Sequence, residues 1–258
     1  MITAELIQGR LEKFWGYGNL SAPVWFVGME EGLGDKDTKE LELRNELQKR
    51  FEATDGKQTI DIRDDMQSVP RHLKFYTPPK RSSQKTPIQM SFLYPIALCL
   101  YLHNNSIPTL EDIREYQLHN LGDVHTGQSA VLELSSLPAR STGKGEWIYG
   151  EYGIDGLSTR ADFENICLPK RCSRLAALVA DHSPILVIFY SRNYMSYWRT
   201  IAGTTLTEIT PQMDFGRSNQ TSFCAIPHRR SRGMSYARVY DFASKISKDV
   251  GLNPLLVT

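Results

Sequence analysis

The chain of 258 residues is 41% hydrophobic and sets 30 basic against 29 acidic side chains, enough apolar material for a large core and no compositional sign of disorder. The formal net charge of +1 gives no global attraction to polyanions, so any nucleic-acid contact must come from local clusters. No stretch approaches the roughly 18 uninterrupted apolar residues of a helical membrane span, and the N-terminal MITAELIQGRLEKFWG has no apolar signal core.

These limits predict one domain over residues 1–258, cytoplasmic and not held in a membrane. Cys99, Cys167, Cys172 and Cys224 include no Cys-x-x-Cys pair, so they read as buried free thiols rather than metal ligands, and neither metal nor cofactor is expected.

In chain order, an amphipathic N-terminal helix precedes PVWFVG (23–28), a strand that runs into Met29-Glu30-Glu31-Gly32. DTKELELRNELQKRF (37–51) predicts a helix, with Asp37 and Glu40 resembling a capping box and Leu43, Leu47 and Phe51 on one face. Further strands are expected in AVLELSSL (130–137), PILVIFY (184–190) and TSFCAIP (221–227), and further helices over 172–182, 193–203 and 234–251, the last ending at Gly251. The glycine-spotted stretch 139–160 reads as a loop. Within it STGKGE lacks the serine or threonine and the upstream glycine of a phosphate-binding loop, so a nucleotide hydrolase is rejected. Alternating strands and helices, with one strand apolar on both faces, predict a three-layer α/β/α sandwich around a parallel sheet. The site then lies beyond the carboxyl ends of the strands.

Three segments carry candidate chemistry there. Glu30 and Glu31 read as an active-site loop whose glycines 28, 32 and 34 permit unusual backbone or close approach to a ligand; the plainer reading is acidic residues complementing a helix start. The late strand delivers Pro227 and His228, followed by Arg229, Arg230, Ser231 and Arg232, in a run without acidic residues from Arg217 to Arg238, suited to polyanion contact. Residues 66–110 are also free of Asp and Glu and carry Arg71, Lys74, Phe75, Tyr76, Lys80, Arg81 and Lys85, a mixture suited to stacking a base beside its phosphates. Ser135 and Ser136 end the second strand, where they either touch a ligand or satisfy a turn.

Gly28-Met29-Glu30-Glu31-Gly32 resembles the first motif of the uracil-DNA glycosylase superfamily, closest to its single-strand-selective branch. His228 matches the late His-Pro-Ser motif, with Arg229 and Arg230 replacing Pro and Ser, and Arg232 falls where that branch has a helix-invading arginine. Regions 52–90 and 139–170 have no counterpart. The resemblance implies a four-stranded parallel sheet between helices and a monofunctional DNA glycosylase that flips a damaged or modified pyrimidine and leaves an abasic site. It implies DNA as partner, single- or double-stranded, with no obligatory protein partner.

By that likeness Glu30, or Glu31 beside it, orients water and stabilises the oxocarbenium-like sugar, and His228 supports the departing base. Gly28, Met29 and Gly32 border the base, Phe75 or Tyr76 stacks on it, and Ser135 stands near the base-reading asparagine. Lys80, Arg81, Arg229, Arg230 and Ser231 contact phosphates, and Arg232 or Met234 fills the vacated stack. Serine in place of an amide, and Gly32 where a uracil-strict branch has tyrosine, point to uracil derivatives or C5-modified bases such as glucosylated hydroxymethylcytosine in phage DNA, which antiviral members remove. Lys36 is the weak candidate for lyase chemistry. Two alternatives are an inactive nucleic-acid binding module on the same fold and a small-nucleoside hydrolase whose basic runs are solvated surface.

Overall fold

A computed structural model of the chain describes residues 2–34, 38–67, 69–79, 84–140, 147–229 and 231–252. Lys36, Asp37, Lys80, Arg81, Arg230 and the STGKGE stretch lie outside the described residues.

The chain begins with α1 (Ala4–Lys13), whose N-cap Thr3 accepts from the Leu6 amide, followed by β1 (Gly16–Gly18), β2 (Val24–Gly32) and α2 (Glu40–Thr54). β3 (Thr59–Ile60), α3 (Ile62–Met66), α4 (Pro70–Leu73), α5 (Leu93–Asn104), α6 (Leu110–His119) and β4 (Ser129–Ala139) come next. α7 (Arg160–Asp162) passes through a π-helical turn, Phe163–Cys167, into α8 (Leu168–His182). β5 (Leu186–Phe189), α9 (Met195–Ala202), β6 (Thr207–Thr210), β7 (Met213–Ser218), β8 (Thr221–Ala225) and α10 (Tyr236–Ile246) complete the order.

All the strands form one mixed eight-stranded sheet, ordered β3-β1-β4-β2-β5-β8-β7-β6. The middle strands β4, β2, β5 and β8 pair in parallel. The expected four-stranded sheet is therefore corrected to eight strands. β1 joins one edge antiparallel to β4 and brings β3 with it, and the β6–β7 hairpin extends the other edge antiparallel to β8. Side chains alternate along the strands. Val24, Phe26, Ile188 and Cys224 pack with α5 and α10, while Trp25, Val27, Phe189 and Phe223 pack with α1, α2, α8 and α9. Helices thus flank both faces.

Local expectations fare unevenly. Leu43, Leu47 and Phe51 are buried along α2 as their spacing predicts, but Lys39 caps that helix without a side-chain bond. α10 stops at Ile246, short of Gly251. α5 is buried on nearly every side, so it shows no amphipathic period in sequence. Among the described residues no helix is long and apolar enough to cross a membrane.

Candidate active site

β2 does not end at Gly28; it continues through both glutamates to Gly32. Glu30 and Glu31 therefore sit on the strand, not on a loop after it. Their aim comes from a bulge. β4 advances from Ser135 to Ala139 while β2 advances only from Glu30 to Gly32, and such an irregularity twists a strand and re-aims its side chains. On a flat strand, consecutive residues face opposite sides; here both carboxylates border one cleft of about 100 Å³ at the carboxyl end of β2.

Glu31 is clamped. Its Oε2 lies 3.1 Å from Arg10 Nη2 and pairs with Arg50 Nη2, and the Tyr17 hydroxyl lies against Oε1. Arg50 also donates to Asp65 Oδ2 through Nε at 2.9 Å and Nη2 at 2.7 Å, and Tyr17 Oη is 2.6 Å from the same oxygen. Arg10 donates through Nε to the Ser136 carbonyl at 2.8 Å and through Nη1 to Thr54 Oγ1 at 2.7 Å. Glu46 Oε1 lies 3.8 Å from Arg50 Nη1, so two guanidinium groups face three carboxylates in a buried network that holds α1, α2, α3 and β2 together.

Glu30 has fewer partners. Its Oε2 accepts from Arg160 Nη1 at 2.5 Å, and its Oε1 is buried with no hydrogen-bond partner among the described residues. Arg160 is shared, since its Nε donates to Glu164 at 2.8 Å. Burial outweighs the arginine and raises the Glu30 pKa to about 7, a value suited to proton transfer near neutrality.

A third carboxylate, Glu133 of β4, faces the same cleft opposite Gly28. Tyr190, just after β5, donates its hydroxyl to Glu133 Oε1 at 2.8 Å, and Oε2 is buried without a partner. Burial, with the charges of Glu31 and Glu30 adding, pushes this carboxyl well above the usual range, which favours its protonated form, able to donate a hydrogen bond. Gly28 is required beneath it, because a Cβ there would lie 2.3 Å from the Tyr190 hydroxyl oxygen and 2.5 Å from Glu133 Oε2. At Gly32 a Cβ would meet nothing within 4 Å.

The opposite wall brings Tyr76, Gln89, Phe92 and His72 to the cleft. Tyr76 donates to Gln89 Oε1 at 2.5 Å. Buried Gln117 of α6 holds this wall by donating to the Phe75 and Pro87 carbonyls and accepting from the Gln89 amide at 2.7 Å.

Of the residues expected here, Glu30, Glu31, Gly32 and Tyr76 line the cleft and Gly28 forms its floor. Met29 is buried in the core on the α8–α9 face, and Phe75 packs half-buried on the other core with Lys74 Nζ 5.2 Å from its ring centroid. Ser135 is turned into its own strand end, where its hydroxyl donates to the Leu137 carbonyl at 3.0 Å and accepts from the Leu137 amide; Glu133 is the β4 residue that faces the cleft. His228 is not among the lining residues, because β5 lies between β2 and β8 and Tyr190 occupies that wall. The lining imidazole is His72. Arg229 and Arg232 are exposed, and Ser231 borders a separate surface hollow with Arg192 and Asn193.

Sequence reasoning missed Arg10, Arg50, Tyr17, Asp65, Arg160, Tyr190 and Glu133. Glu133 alone left a signal, a carboxylate inside an apolar strand. Among the described residues no group of histidine, cysteine and acidic side chains is arranged to hold a metal ion, and the four thiols are free. No known protein family and no characterised protein sequence matches the chain.

Proposed function

We propose that this protein is a DNA glycosylase that hydrolyses the N-glycosidic bond of a flipped, modified pyrimidine. One observation carries the reading: Glu30, with a pKa of about 7 and a buried Oε1 that has no hydrogen-bond partner among the described residues, borders an aromatic-walled cleft at the end of a central parallel strand. Breaking that bond builds positive charge on the sugar and negative charge on the base. Ionised Glu30 supplies the first complement and orients the attacking water. Neutral Glu133 supplies a donor to the departing base, the task first expected of His228. Tyr76 and Phe92 flank the ring, and the open space at Gly32 accommodates a C5 substituent. The parallel order β4-β2-β5-β8 agrees with a uracil-DNA glycosylase-like fold, and the exposed Arg229 and Arg232 offer phosphate contacts outside the cleft.

The test is incubation with DNA carrying a panel of modified pyrimidines, followed by alkaline cleavage to reveal abasic sites. Cleavage at one class of base supports the reading. A specific observation favours a second one: no arginine or lysine from the 217–238 run lines the cleft among the described residues, as fits a small-nucleoside hydrolase. Release of base from free nucleosides but not from DNA selects that alternative, and DNA binding with no release of base selects an inactive binding module.

A further inference from the structure

Four arginines are buried among the described residues: Arg10, Arg50, Arg160 and Arg171. The first pairs with Glu31, the second with Glu31, Asp65 and Glu46, and the third with Glu30 and Glu164. Arg171 on α8 has no carboxylate partner among the described residues, although it is only 3% exposed. Its guanidinium lies over the Trp15 ring, Cζ 4.0 Å from the centroid. Nη2 donates to the backbone oxygens of Glu133 at 3.2 Å and Trp15 at 3.4 Å. Nε and Nη1, which carry three N–H bonds between them, are buried and have no acceptor among the described residues.

A guanidinium does not give up its proton in a protein, so burial leaves a charge that calls for a counter-charge. Arg171 borders a cavity of about 310 Å³ between α1, α8 and residues 154–155, together with Lys170 and Arg174. Those two cations are exposed, and Arg174 Nη2 donates to the Glu12 backbone oxygen. The acids at the rim, Glu12 and Asp155, are also exposed and make no bond to Arg171.

We propose that this cavity is a binding site for a small phosphate anion, held by Arg171 from within and by Lys170 and Arg174 at the mouth. A phosphate ion brings up to two negative charges and several acceptor oxygens, against one charge and two oxygens for a carboxylate, so a cavity bordered by three cations favours phosphate. The inference is independent of the chemistry assigned to the cleft, since it rests on a different cavity and needs no substrate turnover.

Isothermal titration of the full chain with inorganic phosphate, at ionic strength matched with chloride, tests it. Saturable binding at one site is expected. It should weaken at least tenfold in Arg171→Met and in the double variant Lys170→Ala/Arg174→Ala, whose exposed positions leave folding intact even where the buried substitution does not. Without phosphate, Arg171→Met should melt above the wild type, because it removes an uncompensated buried charge, and phosphate should no longer raise its Tm. Three results overturn the site: no saturable heat with wild type, wild-type affinity in the double variant, or acetate bound as tightly as phosphate.

Discussion

Arg160 and Glu30, 130 residues apart in sequence, meet with Nη1 2.5 Å from Oε2. Both side chains are nearly withdrawn from water, 6% and 5% exposed. The arginine engages one carboxylate oxygen and leaves the other without a hydrogen bond among the described residues, while burial raises the pKa of the group to about 7. Glu30→Gln preserves the shape and deletes the charge. It should lower single-turnover base release on the order of a hundredfold or more with DNA affinity nearly unchanged; release at the wild-type rate would remove Glu30 from the mechanism.

The same carboxyl sets a pH dependence. The proposed mechanism requires ionised Glu30, so on that reading the single-turnover rate should rise with pH and level off above about 7. Stability moves the other way. A pKa raised from 4.5 to about 7 on folding means that the folded chain holds the proton more tightly, a contribution present below pH 4.5 and lost as pH rises through 7. Thermal melts from pH 5 to 8 should therefore show Glu30→Gln gaining on the wild type as pH increases. A constant gap across that range contradicts the assignment.

Glu31→Gln should act on folding before chemistry. It leaves Arg10 and Arg50 facing Asp65 and the more distant Glu46, 3.8 Å from Arg50, in a buried network, and breaking such a set typically costs about 3–5 kcal/mol. Chemical denaturation measures this directly. A variant as stable as wild type that has lost base release would transfer the catalytic role from Glu30 to Glu31.

Glu133 is predicted to act as a neutral donor. Glu133→Gln retains a donor and should keep substrate affinity within a few-fold, whereas Glu133→Ala removes the donor and the acceptor of the Tyr190 hydroxyl. An ionised Glu133 would abolish that ranking, leaving the glutamine variant as impaired as the alanine variant in equilibrium binding.

Gly28 and Gly32 should separate cleanly. Gly28→Ala drives a methyl group into Tyr190 and Glu133, a clash expected to cost about 1–3 kcal/mol and to disturb the cleft floor. Gly32→Ala meets open space and should fold normally. Paired denaturation and binding measurements that found the two equally tolerated would contradict the packing described for Gly28.

Arg229 and Arg232 are exposed, so their alanine variants should fold as the wild type does. If they touch phosphates, each should flatten the salt dependence of DNA affinity by about one unit for all sequences alike. If Arg232 fills the vacated stack instead, its loss should hurt duplex more than single-stranded substrate. Unchanged slopes with equal affinity on both forms would place the DNA contacts elsewhere.

The α/β class, the four middle strands and the nearness of Glu30 and Glu31 to the end of the first of them were legible in the sequence, although it put the two glutamates on a loop and not on the strand itself. Those features depend on local apolar runs and on periodicity along α2, α8 and α9, which neighbours in sequence define. It did not reveal β1 and β3, which are two or three residues long, or α5, which is apolar on every side. Only the tertiary structure decided which glutamate is clamped and which retains an unengaged oxygen, because Arg10, Arg50 and Arg160 come from three separate helices. It also exchanged His228 for Glu133 and His72 at the cleft, since strand order and Tyr190 decide which residues share a wall. The charge state of a buried carboxyl follows from its desolvation and the charges around it, and both are properties of the folded chain rather than of residues adjacent in sequence.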